Sequence, residues 1–242
     1  STACLRKRFS VCCNVSEVPG TPLCVVEVSG GIAGAYCGWL LAQMGAKVVS
    51  LGTTPSLRTE ERDRGGPTAL AMAFYGTGKQ QAEAENALEI LAEANLVITD
   101  DTELFTEITG TAVKDLTETQ SHIVVGVTSV FGLTGPLANL PAVPLNAQAE
   151  AGVAWALGEA GRPPLSIPPG VLECQAGAHL AAACLMATVV GSAGNGGRVV
   201  DISLTDILAN YVAVNCRFYI HHGMQWRREG RRAAYSGGAY PF

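Results

Sequence analysis

One carboxylate stands apart in this sequence. Glu173 is the only acidic residue between Glu159 and Asp201, and it opens the most apolar helical stretch of the chain, Glu173–Val190. A Pro168-Pro169-Gly170 turn leads into it. A carboxylate near a helix start gains roughly 0.3–1 kcal/mol from the helix dipole, which is a purely structural role. A partly buried carboxylate at a strand-edge loop is also a candidate nucleophile or base. Other reacting constellations are missing. The chain has no H-E-x-x-H, no G-x-S-x-G elbow and no G-x-x-x-x-G-K-[ST] loop. Gly76-Thr77-Gly78-Lys79 is followed by Gln80, where a phosphate loop needs Ser or Thr. His221 and His222 are adjacent and so diverge on a helix; His122 heads a predicted strand and His179 lies in the apolar helix, and both read as core histidines. Cys12-Cys13 have no second pair at zinc-finger spacing, so no metal is expected.

The elements that position such a carboxylate start at Cys24–Gly52. Cys24–Val28 is a valine-rich strand, Ser29-Gly30-Gly31 a turn, and Ile32, Tyr36, Leu40 and Met44 recur at near-helical spacing up to Gly45. Lys47–Leu51 is a second strand. This is one βαβ unit, and its right-handed crossover starts a parallel sheet. The turn glycines, Gly30, Gly31 and Gly34, do not follow the G-x-G-x-x-G spacing, and Ser50-Leu51-Gly52 hold no acidic residue for a ribose, which argues against NAD. Two readings of the glycines stay open: close helix–sheet packing, or a phosphate-bearing ligand at the helix N-terminus.

Further on, Thr68–Tyr75 reads as a helical turn, Ala82–Ala94 as a helix with Leu88 and Leu91 on one face, and Leu96–Thr99 as a strand followed by Asp100-Asp101. Asp115–Thr119 is a short helix, His122–Thr128 a strand, Phe131–Pro136 a turn-rich loop and Gln148–Leu157 a helix. Gly158–Pro169 is a long loop. Glu173–Val190, almost without charge, should be central; Arg198–Leu204 is a strand and Thr205–His222 a helix. Residues 1–23 form an irregular lead-in, and Ser56–Gly66 a surface loop or short helix. The mostly βαβα order predicts an α/β fold: an open parallel sheet with helices on both faces, over 24–242.

Composition bounds the partners. The chain has 242 residues, 48% hydrophobic and 15% charged, with a net charge of −5, which argues against a general nucleic-acid binder. Arg217, Arg227, Arg228, Arg231 and Arg232 form a local basic face, or a site for a phosphate-bearing ligand or acidic partner. The eight cysteines show no regular spacing. Cys37, Cys174, Cys184 and Cys216 lie in apolar segments and read as small buried hydrophobes, consistent with a reducing cytoplasm. The first residues lack the apolar core of a signal peptide. Ala176–Gly191 falls short of the about 20 residues of a spanning helix, so no membrane span is expected.

Three stretches, in order, resemble the family III CoA-transferases, the CaiB–BaiF group that includes formyl-CoA transferase, carnitine CoA-transferase and the α-methylacyl-CoA racemases. They are VVEVSGGIAGAYCGWLLAQMGAKVV from Val25 to Val49; VVGVTSVFGLTGPLANLP followed by NAQAEAG; and Glu173 to Leu204, where an acidic residue four before Gly177 leads an alanine-rich helix into GNGGRVVDISLTD. The resemblance implies a Rossmann-like large domain that holds CoA, with no metal. It also implies a carboxylate nucleophile at Glu173, where the family has an aspartate, passing through an acyl anhydride and then a glutamyl-CoA thioester. The CoA contacts it implies fall on Gly31, Ile32, Ala33, Arg58, Lys79, Asp100, Ser129, Phe131 and Gly132. Its partners are an acyl-CoA and a carboxylic acid. The family's two chains interlock, which implies an interlocked homodimer, or a heteromer with a chain supplying the small domain that is absent here; Tyr235–Phe242 resembles the exit from the large domain. Two other roles are kept. One is a non-catalytic structural or regulatory subunit, because the family's Asn-Phe-Arg-Pro-Gly loop is Asp100-Asp101-Thr102-Glu103-Leu104 here. The other is an acyl-CoA racemase or isomerase, whose His-Asp pair is replaced by Val143-Pro144.

Overall fold

The computed structural model describes residues 23–51, 67–191, 197–225 and 227–228. The lead-in 1–22, the stretch 52–66 that holds Arg58, and Arg231 and Arg232 lie outside the described residues. The chain forms two compact units: residues 1–128 with 177–201, and residues 129–176 with 202–242.

The first unit is built on the sheet. Strand β1 (Cys24–Val28), helix α1 (Ile32–Gln43) and β2 (Lys47–Leu51) make the expected βαβ unit. Helix α2 (Pro67–Tyr75) leads to a short strand β3 (Gln80–Ala82) that the sequence did not announce. A 3₁₀ turn and α3 (Ala87–Ala92) precede β4 (Leu96–Thr99). Helices α4 (Thr102–Thr109) and α5 (Val113–Thr119) then lead to β5 (Val124–Ser129). The strand order is β3-β2-β1-β4-β5-β6, with β6 spanning Arg198–Ser203, and β1–β2, β1–β4, β2–β3 and β4–β5 pair in parallel. The chain winds outward from β1 to β3 and then returns to place β4 on the other side of β1. That reversal is the topological switch point, where open α/β sheets gather ligands at the carboxyl ends of the strands.

The core sits where valine-rich strands demand it. Val26, Val28, Val49, Leu51, Val97, Val125 and Val127 from the strands pack with Ile90, Leu91, Phe105 and Leu116 from α3, α4 and α5. The predicted face of Ala82–Ala94 is corrected here: Ile90 and Leu91 point inward, whereas Leu88 is 63% exposed. The helix proper covers only six residues, and burial phase, not leucine spacing alone, decides which side faces in.

Helix α8 (Val171–Gly191) crosses from one unit into the other. Within the first unit it approaches its neighbours closely. A side chain at Gly177 would strike the Ala33 carbonyl and lie 3.1 Å from the Cys37 nitrogen. On the sheet side, a side chain at Gly126 of β5 would strike the Cys184 sulfur and lie 3.1 Å from Leu180. Only one stripe of α8 is buried, with Leu172, Ala176, Leu180, Ala181 and Cys184, while Met186, Val189 and Val190 are exposed. The expected central position of this helix applies to that stripe alone. By length and composition alone the stretch Val171–Val190 is sufficient to cross a membrane, contrary to the estimate from Ala176–Gly191. Its glycine-mediated contacts are with helix α1 at Gly177 and with strand β5 at Gly126.

The second unit is helical. Helices α6 (Pro144–Glu150) and α7 (Val153–Ala156) replace the single predicted helix Gln148–Leu157, because Gly152 between them has φ 79°. Both pack against α9 (Leu204–His222). The Ser203 hydroxyl accepts the Asp206 N–H to start α9, and the Thr205 hydroxyl donates to the Val130 carbonyl at 2.7 Å. Buried Gln148 accepts the Ile167 N–H at 2.7 Å, which fixes the 157–170 loop.

Candidate functional site

At the switch point the glycine turn is already filled. Asp100, directly after β4, directs its carboxylate into the turn after β1. Oδ1 accepts the Gly30 N–H at 2.6 Å and the Gly31 N–H at 3.1 Å, and Oδ2 accepts the Gly34 N–H at 2.8 Å. The parallel pairing of Val28 with Thr99 places the two strand ends side by side, so the contact follows from register. At Gly34 glycine is needed for it. A side chain at Gly34 would strike the Ser29 hydroxyl and lie 3.1 Å from Asp100 Oδ2, and one at Gly31 would lie 3.4 Å from the same oxygen. Burial raises the Asp100 carboxyl above the usual range, the three amides pull it back, and neighbouring Asp101 raises it again.

Asp101 faces the other way. Its Oδ1 accepts the N–H groups of Glu103 and Leu104 at 3.0 and 2.9 Å and caps α4, a helix absent from the sequence reading. Adjacent carboxylates thus hold two helix starts.

Beneath the turn lies a buried ion pair. Lys79 Nζ is 2.6 Å from Glu27 Oε2 and donates to the Ala35 carbonyl at 2.7 Å, with the two side chains only 2% and 5% exposed. Gly38, one turn after Gly34, lacks the side chain that would occupy the space of the Glu27 carboxylate. Burial pushes the Glu27 carboxyl up to about 7, against the opposing pull of Lys79. Sequence reasoning passed over Glu27, although an acid inside a valine strand, with a lysine before the next strand, was a usable signal. Nearby Cys37 and Cys184 are buried, and burial pushes the Cys184 thiol up to about 12 and the Cys37 thiol well up. Both fit the role of small hydrophobes, whereas Cys216 is exposed and Cys174 half-buried, which corrects the reading of all four as buried.

Of the positions assigned to CoA, Gly31, Ile32, Ala33, Lys79 and Asp100 thus gather at one strand edge, with Gly31, Lys79 and Asp100 engaged internally. Ser129, Phe131 and Gly132 stand together in the second unit. There the Ser129 hydroxyl accepts the Gly132 N–H at 2.9 Å, and Gly132 has φ 91°.

Glu173 occupies the third position of α8, also in the second unit. It is half-buried, and its Oε2 accepts the N–H of Gly170, the residue before the helix, at 3.0 Å. Gly170 has φ 87°, the geometry that lets the Pro168-Pro169 segment turn into the helix. This is the reach-back half of a capping box. Among the described residues this is the one bond that its carboxylate makes, and it leaves Oε1 out. His122 and His179 are exposed, which corrects their reading as core residues. Among the described residues no cluster of metal-ligating side chains occurs. Arg228 is used within its own unit, donating to the Trp155 carbonyl at 3.2 Å and lying over the Trp155 ring.

The family model of CoA-transferase family III matches residues 22–241. The chain belongs to CoA-transferase family III. Solved structures of similar fold include a CaiB/BaiF family protein from Brucella suis, with TM-score 0.72 and 22% identity over 86% of this chain and 59% of that one. A hypothetical protein from Mycobacterium tuberculosis matches with TM-score 0.67 and 22% identity over 86% of this chain and 61% of that one. Among curated proteins, the succinyl-CoA:(R)-benzylsuccinate CoA-transferase subunit BbsE of Thauera aromatica is 24% identical over 86% of this chain and 54% of its own length. The chain therefore spans between about half and three-fifths of the length of these family III relatives.

Proposed function

We propose that this chain is the large-domain part of a transferase that moves CoA between carboxylic acids, with Glu173 as nucleophile. The observation that carries the reading is the state of the Glu173 carboxylate. It is half-buried at the head of an apolar helix, steadied through one oxygen by Gly170, with the other oxygen available. The resemblance puts it at the position of the family's aspartate.

The steps balance on that oxygen. A Glu173 oxygen attacks the acyl-CoA thioester carbonyl, the carbon–sulfur bond breaks, and CoA leaves as thiolate with a mixed anhydride behind it. The thiolate attacks the glutamyl carbonyl, releasing the first carboxylic acid as carboxylate and leaving a glutamyl-CoA thioester. An acceptor carboxylate attacks that thioester to form the second anhydride, and the returning thiolate takes the acceptor acyl group and frees Glu173. The sequence demands an ionised carboxylate but no external acid.

The Gly170 contact also supports a second reading, because reaching back to the residue before the helix is what a structural glutamate does. On that reading the chain is a non-catalytic subunit. BbsE is named as a subunit of a CoA-transferase. Assembly with a chain supplying the small domain, or interlocking of two copies, goes with either reading, and a cytoplasmic setting suits both. For the racemase reading, Val143 is exposed and its backbone N–H donates to Asn146, so no base stands there.

The experiment is intact-mass spectrometry of the assembled protein after an acyl-CoA is added, followed by hydroxylamine or borohydride trapping. An adduct on Glu173 that disappears in Glu173→Gln is the expected result. Absence of any adduct across a panel of acyl-CoAs, with the complex intact, favours the non-catalytic subunit.

A further inference from the structure

The turn after β1 is where a doubly wound fold offers backbone N–H groups to a ligand's phosphate. Here those donors already hold a carboxylate of the chain itself. We propose that Asp100 is a specificity-determining residue: it occupies the glycine turn as a built-in anion and excludes phosphate and pyrophosphate groups from the switch point.

Three observations converge on this. Asp100 takes the N–H groups of Gly30, Gly31 and Gly34 with both of its oxygens, at 2.6 to 3.2 Å. The space beside Gly34 and Gly31 is taken by that carboxylate and by the Ser29 hydroxyl, which a side chain at Gly34 would strike. Among the described residues, Lys79 is turned inward to Glu27 and the Ala35 carbonyl rather than toward the turn. An arriving phosphate would meet the negative charges of Asp100 and Asp101, with the donors already taken. Like charges at this range repel, and the local low dielectric strengthens the repulsion. The nucleotide end of any CoA-like ligand is therefore held by other groups. The inference concerns the turn alone and stands whether or not the chain transfers CoA.

Inorganic pyrophosphate is the probe, which separates this test from the transferase reading. In an amide nitrogen–proton NMR titration of the full chain, the Gly30, Gly31 and Gly34 resonances of the wild type stay unmoved up to about 10 mM pyrophosphate, on the order of −3 kcal/mol of binding at most. In Asp100→Ala, pyrophosphate moves those three resonances and binds at least tenfold more tightly. Asp100→Asn, which keeps the shape and lowers the charge, lies between. Wild-type glycine amides that respond to pyrophosphate as strongly as those of Asp100→Ala overturn the proposal, as does a folded Asp100→Ala with no gain. Should Asp100→Ala fail to fold, the wild-type titration decides alone: unmoved amides uphold the exclusion and shifted amides refute it.

Discussion

Two carboxylates in this protein meet glycine amides at the start of a helix, and they do different things. Asp100 is saturated: both oxygens are taken by three N–H groups, and burial raises its proton affinity. Glu173 has one such contact, through one oxygen, on a half-buried side chain. The saturated group is a structural part of the sheet edge. The singly held group is positioned and still has a lone pair to give. Both lie at a helix N-terminus, and what separates them is the number of donors already engaged.

The largest expected effect tests the member of the pair proposed as nucleophile. Glu173→Gln should lower CoA transfer by on the order of a thousandfold or more, as loss of a nucleophile does. The amide can still accept the Gly170 N–H, so thermal unfolding should hardly move. Transfer at the wild-type rate in this variant would place the nucleophile elsewhere.

Next comes the support beneath the saturated member. Lys79→Met leaves Glu27 buried without its partner and should destabilise the protein by about 3–5 kcal/mol in urea unfolding. A loss below about 1 kcal/mol would mean that water reaches Glu27 freely.

The same pair predicts a pH dependence. The Glu27 carboxyl titrates near 7 when folded, against an ordinary 4.5, so the folded chain binds the proton more tightly. Its contribution is therefore fully present below pH 4.5 and is lost as pH rises to about 7, on the order of 3 kcal/mol in all. Asp100, also raised, has the same sign. The stability of wild type relative to Glu27→Gln should accordingly fall between pH 5 and 7.5. A flat difference would show that Glu27 is ionised throughout.

Asp100→Asn is the mirror of the glutamine variant. Its amide nitrogen opposes a backbone N–H that the carboxylate accepts, leaving a donor unpaired at a cost of about 1–3 kcal/mol. Its effect on transfer should be smaller than that of Glu173→Gln, and the reverse order would exchange the roles of the two acids.

Much of the frame was legible before the fold was seen. Runs such as Val25–Val28 and Val124–Val127 mark buried parallel strands, and Gly45, with φ 94°, ends α1 as its position suggested. Glu173 at the head of α8 was legible because a lone charge before an apolar run is conspicuous. Helix α4 is short, and its apolar face, Leu104, Phe105 and Ile108, is set between threonines and glutamates, although Asp101 before it and Gly110 after it, at φ 69°, supply both of its ends. The split at Gly152 was hidden inside a plausible apolar period. The pairing of Asp100 with the turn could not be read at all. It joins residues about 70 positions apart, and only the return of β4 to the side of β1 makes them neighbours.

That pairing also has a consequence for how the protein opens. Asp100 holds the β1–α1 turn and Asp101 holds the start of α4, and the two residues share a peptide bond further fixed by the Thr99 hydroxyl. Neither loop can breathe without dragging on the other. In hydrogen exchange, Gly30, Gly31 and Gly34 should therefore lose protection with Glu103 and Leu104 as one cooperative group, on a single clock.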